Sequence, residues 1–306
     1  MKDEFTVPVA LIVFNRPSHT AKVLDAIRAV RPKELMVVAD GPRPDRPEDG
    51  DKCEAVRALF DNVGWNCSIS RNFAPTNLGC RGCVSAGLDW VFEQAEQAII
   101  LEDDCLPHHS FFGFCSDLLD RYRNDKRIMG ITGDNFQNGV RRGEASYYFS
   151  RYFHIWGWAT WRRAWRHFDV DVQSWQVLRR SNWLSKLLNR RVSERVWARN
   201  FESVYERQLD TWDYQWQYAV WMHGGLVATP NINLVSNIGT GGDATHTIGD
   251  GPLFRLPTFQ MESPLSHPAE VTRDVEADEY IERTIFAPPL SVRLNNKARR
   301  LLRRRW

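Results

Sequence analysis

Three consecutive acidic residues directly follow a short apolar run, and this arrangement constrains the fold more than any other feature of the chain. The acids are Glu102, Asp103 and Asp104, and the apolar run is residues 98–101. An apolar run bounded by charge is typical of a strand buried in a parallel sheet. Carboxylates crowded at its end repel one another unless a cation or a fixed donor compensates the charge. The triplet therefore predicts a metal–diphosphate site at the carboxyl edge of a sheet, with a solvated acidic turn as the alternative.

The first half of the chain alternates strand patterns with helix patterns. Strands are predicted at residues 9–14, 34–39, 66–70, 98–101 and 128–132. Helices are predicted from Pro17, around residues 53–60, over residues 80–96 and from Ser110, which we expect to be the helix cap. This order predicts an α/β protein with a doubly wound, mostly parallel sheet. Arg16, Asp40 and the acid triplet then all follow strand ends, where open α/β sheets bind ligands.

The pattern changes after about residue 140, where aromatic residues become frequent. Most of the 13 tryptophans lie between Trp156 and Trp221. Tryptophan stacks on sugar rings and also fills cores, so the enrichment leaves both uses open. We expect a basic amphipathic helix over residues 165–205, a second helix over residues 212–222 and a short strand at residues 226–229. Glycines and polar residues predict a mobile loop over residues 237–251.

Charge and cysteine content indicate which classes of partner and which cellular compartment to expect. The net charge is +2, so bulk electrostatics predicts no nucleic-acid partner. The apolar run at residues 7–14 is too short to cross a bilayer, and no cleavage site follows it. We therefore expect a cytoplasmic protein whose six cysteines are reduced. Cys80 and Cys83 form a CxxC without a second pair at zinc-site spacing, which favours small buried cysteines over a zinc or redox site.

Taken in order, these motifs resemble those of GT-A-fold nucleotide-sugar glycosyltransferases. The likeness is greatest to N-acetylglucosaminyltransferase I, an inverting enzyme that uses UDP-N-acetylglucosamine, and it runs over most of residues 8–250 at low identity. The matching segments are Asn15-Arg16-Pro17, Asp40, residues 77–83 with Arg81, Glu102-Asp103-Asp104, residues 156–158, residues 212–216 and residues 245–247. Tyr214 stands where the family has a second aspartate, so the resemblance implies the fold and the reaction type rather than the donor sugar.

The resemblance also implies roles for the matched residues. Asp104 would bind a divalent cation, Mn²⁺ or Mg²⁺, and Asp213 would be the general base. The residues implied in donor binding are Arg16, Asp40, Arg81, Glu102, Asp103 and His246. The residues implied on the acceptor side are Trp158, Trp212 and Trp216. The chain would then comprise a nucleotide-sugar-binding half (1–140), an acceptor-side half of the same domain (141–255) and a C-terminal extension (256–306).

Simpler interpretations exist for several of these residues. Asp213 suits the first turn of a helix, where the macrodipole favours an acid. Asp40 precedes a glycine and suits a turn. Arg81 is equally compatible with a solvent-facing position.

We expect a metal-dependent inverting glycosyltransferase that moves a sugar from a UDP-sugar to a glycan or glycolipid acceptor in bacterial surface polysaccharide synthesis. A sugar-phosphate nucleotidyltransferase is one alternative, although residues 9–20 contain no glycine for a phosphate loop. A non-catalytic glycan-binding protein is the other. The basic tail at residues 293–306 predicts peripheral attachment to the inner membrane face, with a solvated tail as its alternative.

Overall fold

The computed structural model describes residues 5–239 and 253–288 of the chain. Its strands are β1 (Val9–Val13), β2 (Glu34–Ala39), β3 (Ser68–Phe73), β4 (Gln97–Glu102), β5 (Cys105–Pro107), β6 (Ile128–Thr132), β7 (Tyr147–Ser150), β8 (Trp158–Trp161), β9 (Leu226–Pro230) and β10 (Val235–Asn237). Eight of them form one sheet in the order β3-β2-β1-β4-β8-β6-β9-β7, and β5 pairs with β10 in a second, small sheet.

The large sheet is mixed but mostly parallel. β3, β2, β1 and β4 run parallel to one another, and β6 runs parallel to β9. β8 is antiparallel to both β4 and β6, and β7 is antiparallel to β9. The predicted α/β class with a mostly parallel sheet is therefore confirmed. The two antiparallel strands were not predicted, because all four residues of each are buried and no polar alternation marks them.

Helices pack on both faces of this sheet. They are α1 (Pro17–Val30), α2 (Glu48–Ala58), α3 (Gly79–Gln94), α4 (His109–Arg121), α5 (Arg162–Trp165), α6 (Trp175–Leu178), α7 (Trp183–Leu187), α8 (Arg191–Tyr205), α9 (Asp213–Met222) and α10 (Val275–Ile281), which continues into a π-helical turn, Glu282–Phe286. Successive β1 side chains point to opposite faces. Ala10 and Ile12 join the core formed with α3 and the tryptophans, whereas Val9, Leu11 and Val13 join the core under α1 and α4.

Two predicted helix features differ in the structure. The single helix expected over residues 165–205 is wrong: it is divided into α5 to α8. Asp169 accepts hydrogen bonds from the backbone N–H groups of Asp171 and Gln173, and Val172 has φ +43°, so the chain turns there instead of continuing a helix. The cap of α4 is not Ser110 but His108, whose ring accepts a bond from the Ser110 N–H at 3.3 Å.

No helix in the described part of the chain combines the length and the apolar character needed to cross a bilayer.

Candidate active site

A cavity of about 470 Å³ opens at the carboxyl ends of β1, β2 and β4. These strand ends supply Arg16, Asp40 and the acid triplet to its lining. The remaining lining includes residues 155–156, residues 210–213, Asn237, Gly239 and Phe254. The cavity therefore brings together residues that are distant in the chain, as expected where parallel strands end at one edge.

Arg16 pairs with two of the three acids of the triplet. Its Nη2 donates to Asp103 and, at 3.0 Å, to Asp104, while its Nε donates to Asp103 at 3.2 Å. Asp103 is almost completely buried, so this pairing neutralises a carboxylate that would otherwise be costly inside the protein. The sequence prediction considered Arg16 a ligand of the base or phosphate. In the structure its guanidinium instead pairs with Asp103 and Asp104.

Asp104 lies between Arg16 and the end of β10. The antiparallel pairing of β5 with β10 brings Gly239 so close that a Cβ on this residue would collide with the Asp104 carboxylate. The backbone carbonyl of Asp104 accepts a bond from the Ile238 N–H at 2.8 Å. Glycine is therefore required at residue 239 by close approach rather than by its backbone angle.

Glu102 carries the most perturbed carboxyl group of the triplet. Burial, together with the charges on Asp104 and Asp103, raises its pKa to about 8, although Arg16 opposes the shift. Asp213 also raises this pKa, which shows that its carboxylate is close enough to interact with Glu102 across the cavity. Glu102 therefore binds a proton at neutral pH more readily than an ordinary glutamate and can donate a hydrogen bond from its carboxyl group.

Asp213 begins α9 and faces the cavity. Its Oδ1 accepts bonds from the Thr211 hydroxyl and, at 2.9 Å, from the Tyr214 N–H. These bonds fix one carboxylate oxygen at the first turn of the helix. The structure thus combines the predicted position in the site with the alternative that the sequence left open, a helix N-terminal acid.

Asp40 lies at the end of β2 and is tied to the loop before α3. Its oxygens accept bonds from the N–H groups of Gly41 and Leu78 and from the Asn77 side-chain amide, each at 2.8 Å. Burial raises its pKa, and the backbone donors oppose that shift. Asp40 lines the cavity as predicted, but most of its hydrogen-bonding capacity already organises the loop.

Arg81 does not line the cavity, and its predicted contact with the donor is not supported. Its guanidinium donates to the Val170 carbonyl at 2.7 Å and pairs with Asp171 at 2.5 Å, which holds the segment after α5. The Arg81 N–H and the Cys80 N–H instead bind the Asp210 carboxylate at 2.8 and 3.0 Å. Asp210 thereby caps α3 from 130 residues away in the chain.

The three tryptophans predicted on the acceptor side lie in the core. Trp158 stacks on Trp212 with ring centroids 5.5 Å apart, and Trp216 packs 6.1 Å from Trp158. All three are fully buried, and of these only Trp212 lines the cavity. An acceptor cannot reach Trp158 or Trp216, so their assignment to the acceptor side is corrected. Both residues pack in the core beneath Trp212, which lines the cavity.

Besides Phe14 and Trp212, the aromatic residues that line the cavity are Trp156 and Phe254, whose ring centroids are 5.1 Å apart. The Trp156 N–H donates to the buried Asp134 carboxylate at 3.0 Å. Gly157 follows with φ +75°, a turn that glycine adopts without strain. This turn separates Trp156 in the cavity from Trp158 in β8. The sequence named the segment but not the residue, because strand and turn are indistinguishable there.

Arg43 is a further residue of the site that the sequence prediction missed. It lines the cavity, lies 5.3 Å from the centre of the Phe14 ring, and pairs with the buried Asp49 at 2.5 Å. Asn15 donates to the same carboxylate at 2.6 Å. The sequence indicates only a turn after Asp40, so nothing in the spacing of this segment predicted that Arg43 faces the strand ends.

The remaining predicted features are the cysteine pair, His246, the basic tail and the metal site. Cys83 is buried and Cys80 half-buried, both are free thiols, and burial raises the pKa of Cys83 to about 12. His246 and the basic tail lie outside the described residues. Within residues 5–239 and 253–288, no group of three or more His, Cys, Asp or Glu side chains is arranged to hold a metal ion. A larger cleft of about 1430 Å³, lined by Phe5, Trp65 and His109 among others, contains none of the predicted site residues.

No protein-family model matches the chain, and no curated protein matches it. Among solved structures, TarS residues 1–349 of S. aureus aligns at 11% identity with TM-score 0.41, covering 74% of this chain and 58% of that one. The chain thus spans under two thirds of that structure. The galactosyltransferase LgtC, solved with donor and acceptor sugar analogues, aligns at 13% identity with TM-score 0.38, covering 73% of each chain. A structure of an active-site mutant of LgtC aligns at 14% identity with TM-score 0.38, covering 73% of this chain and 72% of that one. Such identities concern the fold alone.

Proposed function

We propose that the chain is a glycosyltransferase that transfers a sugar from a UDP-sugar to a hydroxyl group of a glycan or lipid-linked glycan. The observation that carries the proposal is that Asp213 and the Glu102-Asp103-Asp104 triplet line one cavity although they lie far apart in the chain. Sugar transfer needs a site for the leaving diphosphate and a separate base for the acceptor hydroxyl. The triplet with its arginine suits the first, and Asp213 suits the second.

The donor would lie along the strand ends. Arg43 has a guanidinium that is about one-third exposed, which leaves donors available to a phosphate or a nucleobase. Asp40 and Asn77 offer a carboxylate and an amide for the uracil edge. Glu102, when protonated, can donate to a hydroxyl oxygen of the sugar. These assignments make UDP the nucleotide that we propose.

The triplet also fits a divalent cation that arrives with the diphosphate. Mg²⁺ and related ions take carboxylate oxygens, often one or two from the protein and the rest from phosphates and water. Asp104 has the more exposed carboxylate of the Arg16-paired aspartates and would be the protein ligand. A cation held there would neutralise the charge that develops on the leaving diphosphate. Arg16 supplies positive charge at the same place and holds both aspartates in position.

Asp213 would accept the proton of the acceptor hydroxyl. One of its oxygens is fixed by Thr211 and Tyr214, which orients the carboxylate. Trp156 and Phe254 would offer an apolar face to the acceptor ring. Since one base and no separate nucleophile are invoked, we propose a single displacement with inversion at the anomeric carbon. A bacterial surface polysaccharide is the acceptor class that we propose from the sequence resemblance.

The donor assignment is tested by titrating the full chain with UDP, with and without Mn²⁺, in a calorimeter. We expect Mn²⁺ to strengthen UDP binding to the wild type and not to Asp104→Asn. Asp117→Asn is the matched control because Asp117 lies at the larger cleft instead. Equal Mn²⁺ enhancement in Asp104→Asn would contradict the metal assignment, and absence of UDP binding to the wild type would contradict the donor.

The reaction is tested by measuring UDP released from a panel of UDP-sugars, with and without glycan acceptors. Asp213→Asn is expected to lower turnover by about 100-fold or more while leaving UDP affinity unchanged. Asp171→Asn is the control, because its carboxylate pairs with Arg81 and Arg207 and does not line the cavity. NMR of the product should show an inverted anomeric linkage. Formation of UTP and a sugar phosphate when pyrophosphate is added to the UDP-sugar would instead indicate nucleotidyl transfer.

A further inference from the structure

Three arginines form an exposed stripe along α8, remote in the chain from the acid triplet. Arg191, Arg195 and Arg199 are spaced four residues apart and therefore lie on one face of the helix. The opposite face is buried, through Ser193, Trp197, Phe201 and Val204. Together with Val192, which is 43% exposed, the three arginines are called the α8 stripe below.

The charge of the α8 stripe is not neutralised within the described residues. In this part of the chain, Arg191, Arg195 and Arg199 take part in no ion pair. Glu202 is the nearest acid along the same face, and its carboxylate is already bound by Arg179 and by the Trp175 indole N–H at 2.9 Å. The other acid of α8 is Glu194, so the helix carries three arginines and two acids, one of which is already paired with Arg179.

Two of the helices that pack against α8 also carry exposed side chains. α6 carries Val177 and α7 carries Lys186, and Arg180 is exposed in the segment between these helices. Val177 is 74% exposed, the largest value among the exposed large hydrophobic residues of the described chain. Isolated exposed valines are common, but here they accompany uncompensated cations. Cationic and apolar side chains on one surface match the composition of a membrane interface.

We propose that the α8 stripe docks the protein on a bilayer surface that contains anionic phospholipid. Arginine attracts the phosphate and carboxylate groups of the headgroup layer, and the exposed valines can enter its apolar boundary. A nucleic acid also attracts arginine, but it gains nothing from exposed valine, and the net charge of the chain is only +2. The observations therefore favour a lipid surface.

The composition of the C-terminal tail argues against the tail as the occupant of the stripe. The described chain ends at Pro288, and the carbonyl of the preceding Ala287 accepts a bond from Arg190, the residue before α8, at 3.5 Å. Residues 289–306 contain seven basic residues and no acidic residue. A segment of this composition repels the stripe instead of neutralising it. The stripe and the tail segment both have a composition that attracts anionic groups.

The test measures partition of the full chain onto vesicles of phosphatidylcholine with and without phosphatidylglycerol. The stripe variant is R191Q/R195Q/R199Q, and the control is R28Q/R46Q/R123Q, which removes three exposed arginines elsewhere. Each basic residue near an anionic surface contributes about fivefold to binding. We expect the stripe variant to bind anionic vesicles at least about tenfold more weakly, with the control within about twofold of wild type. High salt should weaken wild-type binding.

A second variant, R191K/R195K/R199K, keeps the charge and is expected to retain vesicle binding. Equal partition of wild type and the glutamine variant would overturn the proposal, as would equal binding to vesicles without phosphatidylglycerol. Tighter binding to duplex DNA than to anionic vesicles would overturn it in favour of nucleic acid. The proposal does not rest on the glycosyltransferase assignment, because UDP binding in solution should be the same in all four proteins.

Discussion

One wall of the cavity carries charged groups, whereas the opposite wall is aromatic. The charged wall places Arg16 against Asp103 and Asp104, with Arg43 and Asp40 beside them. The aromatic wall places Trp212 on the stacked core behind it and exposes Trp156. The first wall is held by directional bonds between ionised groups and the second by contact area and shape.

The difference predicts different responses to perturbation. The charged wall should respond to pH and to bound cations, since its geometry depends on the balance of protons and charge. The aromatic wall should respond to side-chain volume and be insensitive to pH, because it contains stacked rings. The sugar transfer that we propose would use both walls: the charged wall for the leaving group and the aromatic wall for the acceptor.

The largest expected effect is on the aromatic wall. Trp158→Ala should lower the free energy of unfolding by about 3–5 kcal/mol, because it leaves a large cavity between Trp212 and Trp216. Urea unfolding followed by circular dichroism measures this. Trp158→Phe should cost much less, since the Trp158 indole N–H has no hydrogen-bond partner among the described residues. A loss below about 1 kcal/mol for the alanine variant would mean that the wall can repack and is not fixed in shape.

The next effect is on the charged wall. Arg16→Gln should destabilise the protein by about 3 kcal/mol at neutral pH, because it leaves the buried Asp103 carboxylate without its cation. The same urea experiment at acid pH should show a smaller loss, since protonation of the carboxyl groups then removes the unpaired charge. Arg16→Lys keeps a charge but not the two-pronged geometry and should fall between. An equal loss at both pH values would place the cost in packing instead of charge.

The charged wall was the more predictable of the two from sequence. Its strands are apolar runs that end in polar residues, and parallel strands end at one edge, so Asp40 and the triplet were placed correctly. The pairing of Arg16 with Asp103 was not predicted, because a salt bridge across 87 residues leaves no local pattern. The same holds for Arg43, whose position depends on how a turn-rich loop folds back.

The sequence predicted that the region of the aromatic wall is rich in tryptophan, but not which of these side chains line the cavity. A tryptophan in a strand, in a turn and in a helix looks the same in sequence when all its neighbours are apolar. Trp158 was therefore assigned to the acceptor side, and Trp156 was named only as part of the segment 156–158. The break between α5 and α6 includes an Asx turn at Asp169, whose carboxylate accepts from the backbone of Asp171 and Gln173. The sequence interpretation gave more weight to the amphipathic spacing than to this local turn residue.

A smaller, pH-dependent effect is expected at Glu102. The raised pKa of about 8 means that the folded state holds a proton that the unfolded state releases near pH 4.5, so stability falls as pH rises between these values. Glu102→Gln cannot ionise and should be more stable than wild type by about 2 kcal/mol at pH 9, with little difference below pH 4.5. Urea unfolding without divalent ions measures this. A difference that does not change with pH would show that Glu102 is not the titrating group.

The smallest effect joins the two walls. Asp210 lies in the loop that leads to the aromatic wall and caps α3, which begins beside the charged wall. Asp210→Asn keeps one acceptor oxygen but loses the charge that complements the helix dipole, so we expect a loss of about 1 kcal/mol that shrinks at high salt. Thermal unfolding at low and high salt measures it, with Asp210→Ala losing more because no acceptor remains. A salt-independent loss would assign the contact to hydrogen bonding alone, and no loss in either variant would mean that the walls are held together by packing rather than by this cap.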